Sequence, residues 1–106
     1  MCIRDSHCAG LFSPDRRRAA EIEATNVGGT RSVLAAAERA RAAKRLERVV
    51  YVSSILALFP AEGPRITARD AVASPTEMYA ATKAAAERLA RELQDRLPLT
   101  LSLIHI

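Results

Sequence analysis

The chain predicts an α/β fold built on a parallel sheet, and three observations carry that prediction. Arg48-Val49-Val50-Tyr51-Val52-Ser53-Ser54 is an unbroken β-branched and aromatic run, the pattern of a strand buried on both faces. Helical patterns flank it, over residues 19–43 and from Ser74 to about Asp95. Short apolar stubs stand outside both, at His7-Cys8-Ala9-Gly10 and at Leu97 to Leu99. The order strand end, helix, strand, helix, strand start is that of βαβ units, whose strands run parallel.

Each element has a local cause. His7-Cys8-Ala9-Gly10 reads as a buried strand leaving into a turn. Ser13-Pro14-Asp15 then opens a helix, with Ser13 as cap, Pro14 at the first position and Asp15 in the first turn. Ile22, Asn26, Gly29, Val33, Ala36, Ala37 and Ala40 recur at steps of three and four and form its expected inner face. Glu21, Glu23, Arg31, Glu38, Arg39 and Arg41 take the outer face. Gly28 and Gly29 each cost a helix about 1 kcal/mol relative to alanine, so another backbone is expected to approach closely there. Residues 55–73 hold Pro60, Gly63, Pro64 and Asp70 and read as the longest connection, of the kind that often carries function. Ser74-Pro75-Thr76-Glu77 starts the second helix: Ser74 caps, Pro75 takes the first position and Glu77 completes a capping box. Met78, Ala81, Ala85, Leu89 and Leu93 form its expected apolar stripe, and the helix stops before Pro98.

Composition bounds the function. A chain of 106 residues is one small domain or a piece of a larger one. Of its residues 49% are apolar, but 21 are alanine, and with no Trp, two Phe and two Tyr a self-sufficient core is thin. No run approaches the length of a transmembrane helix, and the start lacks the order of a secretory signal. Two cysteines far from any His/Cys cluster exclude a disulfide framework and a metal site. A soluble, cytoplasmic chain without a membrane partner is expected. The net charge of +4 permits nucleic-acid binding without requiring it. Arg16-Arg17-Arg18 and the stretch from Arg39 to Arg48 are interspersed with Glu21, Glu23, Glu38 and Glu47, and no aromatics interleave them for base stacking. They read as solvated helix faces rather than as a basic nucleic-acid-binding module.

The termini stand apart. Residues 1–6 can be encoded by ATG TGT ATA AGA GAC AGN and residues 101–106 by CTG TCT CTT ATA CAC ATC. These strings are reverse complements and look like a transposon-end adapter from sequencing-library preparation. Residues 1–6 and 101–106 are therefore expected to be non-native, with 7–100 as the partial domain. Met1-Cys2-Ile3 and Leu101-Ser102-Leu103-Ile104 are nevertheless apolar enough to extend the sheet's edges into a three-stranded sheet.

Chemistry concentrates in two places. Tyr79 and Lys83 lie four residues apart on one helix, so their side chains share a face. A phenol with a pKa near 10 is a poor proton donor or acceptor at neutral pH, and a neighbouring ammonium brings it into range. Ser53 and Ser54 end the central strand on the carboxyl side, where open parallel sheets bind ligands. Four stretches occur together: His7-Cys8-Ala9-Gly10, Thr25-Asn26-Val27-Gly28-Gly29-Thr30, Val49-Val50-Tyr51-Val52-Ser53-Ser54 and Tyr79-Ala80-Ala81-Thr82-Lys83-Ala84-Ala85-Ala86-Glu87. Through them the chain resembles the extended short-chain dehydrogenase/reductases, the NAD-dependent epimerase/dehydratase group, over about the middle third of a typical member.

The resemblance implies a fragment of a Rossmann-type, doubly wound parallel sheet that binds NAD or NADP. It implies Tyr79 as acid/base, Lys83 as the residue that binds the nicotinamide ribose and lowers the tyrosine pKa, and Ser54 as the hydroxyl that orients the substrate oxygen. Ser53 takes that role if the register slips by one. Asn26 corresponds to a helix asparagine supporting the active-site water and lysine, Thr25 to a nearby cofactor contact, and Ala9 and Gly10 to backbone passing alongside the cofactor. The expected substrate is a small molecule, either a nucleotide sugar or a flavonoid- or steroid-like ketone, and a homodimeric parent is among the expectations. The glycine-rich turn for the pyrophosphate and the residue separating NAD from NADP are expected upstream of residue 7, and the substrate-binding part downstream of residue 100. The fragment itself is therefore expected to be inactive. The rival reading, a non-catalytic dinucleotide sensor, has no need of an acid/base tyrosine.

Overall fold

The structure is a computed structural model, and it describes residues 4–58 and 71–104. Its strands are β1 (Arg4–His7), β2 (Arg48–Ser54) and β3 (Leu99–Ile104). All pair in parallel in the order β1-β2-β3, with His7 opposite Tyr51, Val49 opposite Leu99 and Ser54 opposite Ile104. The β2 range is the one its β-branched run predicts. Arg4 to Ser6 and Leu101 to Ile104, from the two terminal segments, complete the outer strands. Met1 to Ile3, expected to extend the first edge, lie outside the described residues, as do residues 59–70 of the long connection. Among the described residues no helix is long and apolar enough to cross a membrane.

Both crossovers step the same way along the sheet. Right-handed connections then place both helical segments on one face. The burial of β2 follows: Val49, Tyr51 and Ser53 are buried against the helices, whereas Val50, Val52 and Ser54 are half-buried. This corrects the expectation of a strand covered on both faces. Among the described residues there is one helical layer, and a β-branched run alone does not report how many layers cover it.

The first helical segment is continuous: a 3₁₀ turn at Arg16–Arg18, α1 (Ala19–Glu23), a π-helical turn at Ala24–Gly28 and α2 (Gly29–Ala42). Asp15 caps it, accepting from the Arg17 backbone N–H at 3.0 Å. Ser13, the expected cap, instead accepts from the Asp15 N–H. Ile22, Asn26 and Ala37 of the expected row are buried, but Thr30 and Leu34 take the inward places expected of Gly29 and Val33. In a plain α-helix Ile22 and Leu34 stand about a third of a turn out of line. The π turn absorbs that rotation by admitting an extra residue. A Cβ added to Gly28 or Gly29 meets nothing within 4 Å, so the close backbone approach expected there is absent, and nothing in the structure explains these glycines.

The second helix, α3 (Met78–Leu93), begins later than the Ser74 cap predicted. Arg88 holds the Ala73 carbonyl and the Ser74 hydroxyl, which keeps that segment extended. Glu77 is the cap instead, its carboxylate accepting from the N–H groups of Tyr79 (3.1 Å) and Ala80 (2.8 Å). The buried face is Ala80, Thr82, Lys83, Ala84, Ala86, Glu87 and Ala90, while the expected stripe of Met78, Ala81, Ala85, Leu89 and Leu93 is half-buried. Alanine lets the helix lie close to the sheet, so small residues rather than leucines mark the inner face. The apolar core is Leu34, Ala37, Val49, Tyr51, Ala86, Ala90, Leu97 and Leu99.

Candidate active site

The carboxyl end of β2, the exit of β1 and the first turns of α3 meet in one cleft of about 210 Å³. It is lined by Cys8, Gly10, Phe12, Val52, Ser53, Ser54, Tyr79 and Lys83. Five of the eight residues singled out from the sequence therefore converge: Gly10, Ser53, Ser54, Tyr79 and Lys83. Asn26 is buried behind the cleft. Ala9 is exposed and Thr25 half-buried, and neither is part of the lining.

Lys83 is 6% exposed. Its Nζ donates to the Val52 carbonyl at 3.1 Å and lies 5.1 Å from the centre of the Tyr51 ring, a cation–π arrangement. Burial pushes its ammonium below the usual lysine range, against the opposing pull of Glu87 and, more weakly, of Cys8. Tyr79 is half-buried and stacks edge-on against Phe12, with ring centres 5.3 Å apart. Burial, and then the Glu77 carboxylate, push its phenol above the ordinary value. The expected lowering by Lys83 is absent from this geometry. The lysine is drawn down to the Val52 carbonyl and the Tyr51 ring, while the cap at Glu77 puts a negative charge beside the tyrosine.

The two serines differ. Ser54 Oγ accepts from the Leu56 N–H at 3.2 Å, closing the 3₁₀ turn at Ile55–Leu58. Ser53 Oγ is buried with no partner at full hydrogen-bond distance among the described residues, its polar neighbour on the same strand face being the Tyr51 phenol. A buried hydroxyl in that state costs free energy, so a ligand oxygen at the cleft wall has a waiting partner in Ser53.

The Asn26 side chain makes its hydrogen bonds to Leu11 and Thr82 rather than to Lys83. Its Oδ1 accepts from the Leu11 N–H (2.7 Å), and its Nδ2 donates to the Leu11 carbonyl (2.9 Å) and to Thr82 Oγ1 (3.0 Å). Thr82 Oγ1 in turn donates to the Tyr79 carbonyl at 2.7 Å. Asn26 thus ties the β1 exit, which floors the cleft, to the turn of α3 that carries Tyr79. The π turn aims it: π bulges recur at functional sites because they redirect one side chain without ending the helix. Thr30 supports the turn, donating to the Asn26 carbonyl (2.7 Å) and meeting His7 Nε2 at 3.0 Å. Thr82, Phe12 and Cys8 were missed from the sequence. Thr82 lay inside the Tyr79–Lys83 spacing, whereas Phe12 carried no signal of its own.

The chain matches the NAD dependent epimerase/dehydratase family over residues 6–100. No curated protein sequence matches it. Several solved structures are similar, among them the following three. One is a short-chain dehydrogenase/reductase superfamily protein from Agrobacterium tumefaciens with bound NAD, at TM-score 0.77 and 25% identity over 95% of this chain and 30% of that one. The second is the Bordetella bronchiseptica enzyme WbmG in complex with NAD and UDP, at TM-score 0.76 and 24% identity over 93% of this chain and 29% of that one. The third is UDP-glucose 4-epimerase from Brucella ovis in complex with NAD, at TM-score 0.74 and 23% identity over 95% of this chain and 30% of that one. The chain spans about 30% of the length of the proteins it resembles.

Proposed function

The chain belongs to the NAD dependent epimerase/dehydratase family, and from that membership we propose that its cleft receives the nicotinamide end of NAD or NADP beside a carbonyl or secondary alcohol. The observation that carries this reading is the convergence of Ser53, Ser54, Tyr79 and Lys83 on one cleft at the carboxyl ends of parallel strands.

The residues present fit the dinucleotide. Gly10 offers a floor without a side chain, Val52 and Phe12 offer apolar walls for a flat ring, and Ser53 brings an unpartnered buried hydroxyl. When bound, the dinucleotide supplies or accepts the hydride. Lys83, held by a single bond to Val52, has further N–H donors for the ribose hydroxyls. Ser53 or Ser54 orients the substrate oxygen by hydrogen bonding. Tyr79 Oη, kept protonated by its buried surroundings, is the donor to that oxygen, and its working as acid and base requires the Lys83 ammonium to turn from the Val52 carbonyl towards it. The UDP bound to WbmG and the UDP-glucose 4-epimerase support a nucleotide sugar as the substrate class. We also read residues 1–6 and 101–106 as foreign to the domain, a reading that rests on the reverse-complementary coding of the two ends.

The test is Tyr79→Phe in a full-length protein carrying this segment. Removing only the hydroxyl should lower kcat by about 10²- to 10⁴-fold and leave dinucleotide binding intact. A wild-type kcat overturns the assignment.

A further inference from the structure

Beneath the cleft lies a buried carboxylate that the reading above does not use. Glu87 is 0% exposed, one turn beyond Lys83 on the buried face of α3. Neither of its carboxylate oxygens has a hydrogen-bond partner among the described residues. Its nearest cation is Arg91, one further turn along, with NH2 3.6 Å from Oε2. Lys83, Glu87 and Arg91 thus form a column of alternating sign along one helix, running from the cleft through the buried Glu87 to a half-buried Arg91. A buried carboxylate is expensive unless its charge is matched, and the same holds for a buried ammonium with one hydrogen bond.

We propose that Glu87 is a positioning residue for the cofactor lysine: its buried negative charge keeps the Lys83 side chain cationic and seated between the Val52 carbonyl and the Tyr51 ring. The titratable groups facing Lys83 are Cys8 from the β1 exit, Tyr51 from β2, and Glu87 and Tyr79 from α3 itself. Glu87 is faced by Tyr51 from β2 and by Arg91 on its own helix. The π turn presents Asn26, which carries no charge. Among the groups that oppose burial at Lys83, Glu87 acts more strongly than Cys8. It acts through the low-dielectric interior rather than by contact, and with solvent excluded its field is weakly screened. Cys8 is exposed and therefore a poor substitute.

The inference rests on reading Lys83 as the cofactor-holding lysine, but its test needs no cofactor, so it fails separately from the proposed function. Carbon NMR of Lys83 Cε in the whole chain reads the lysine titration directly. In E87Q the Lys83 midpoint should fall by about one pH unit, a tenfold change in its ionisation constant. E87D, which keeps the charge, should restore most of that. An unchanged midpoint in folded E87Q overturns the proposal. Should E87Q not fold, E87M, which fills a similar space without charge, is read in its place, and an unchanged Lys83 midpoint there overturns the proposal equally.

Discussion

At the amino end of β2, Val49 belongs to a cluster with Leu34, Ala37, Ala86, Ala90, Leu97 and Leu99 that contains no hydrogen-bonding side chain but Tyr51. At the carboxyl end of the same strand, Ser53 faces Lys83, with Asn26 and Thr82 buried behind them. One strand and one helix thus run through two regions of opposite composition. The apolar end tolerates no water and needs no partner geometry, so alanine and leucine suffice there. The polar end is buried almost as deeply, yet each group in it must find a specific partner. Ser53 and Glu87 have not found one. Unmet polar groups gather beside the cleft, and the one polar atom of the apolar cluster, the buried Tyr51 Oη, is unpartnered as well, so Tyr51 marks the border between a part that stabilises and a part that binds.

Removing side chains from each region in turn tests the division. Leu34→Ala should be the most damaging change, costing about 2–5 kcal/mol in urea unfolding of a total that is only about 5–15 kcal/mol for a typical domain. A cost below about 1 kcal/mol would mean that the amino end is not the anchor.

Tyr51 joins the two regions, and its phenol is pushed up to about 12 by burial and then by Glu87. Because folding favours the neutral phenol, the stability tied to Tyr51 is complete below about pH 10, its unfolded pKa, and is lost as pH rises through about 12. With no Trp and two Tyr in the chain, phenolate absorbance in Tyr79→Phe reports Tyr51 alone. A midpoint near 10 in the folded chain would show that Tyr51 is wet.

Asn26→Ala removes three hydrogen bonds and should cost about 1–3 kcal/mol. The distinctive outcome is local: the Leu11 amide should lose hydrogen-exchange protection before the β2 amides do. Retained protection at Leu11 would dissolve the clamp. Gly29→Ala, at the seam between the regions, should stabilise by about 0.5–1 kcal/mol, since the new Cβ meets nothing and the backbone is helical at φ −61°. A loss of stability would reveal a neighbour the open space does not show.

Much of the site was legible before any coordinates. The pair Tyr79 and Lys83, and Ser53 with Ser54 at a strand's carboxyl end, converge as their spacing and register imply. What was not legible was which hydrogen bonds these groups make. Ser74 and Glu77 read as the two ends of one capping box, yet Arg88, fourteen residues on, claims Ser74 and leaves Glu77 as the cap. Asn26 stands on the helix position the resemblance implies, but that its side chain bonds Leu11 and Thr82 was not readable from the sequence.

The sequence by itself determined where β2 and the helices lie, that the strands run parallel, and which end of the sheet carries chemistry. Those follow from β-branched runs, helical spacing and element order, all of which act within a few residues. Only the tertiary structure decided the helical face of α3, the π turn at Asn26 and the seat of Lys83 on Val52 and Tyr51. Each depends on groups from distant segments competing for the same buried polar atom. Burial makes an unpaired charge or donor costly, and that cost is set by the assembled neighbours, not by adjacent residues.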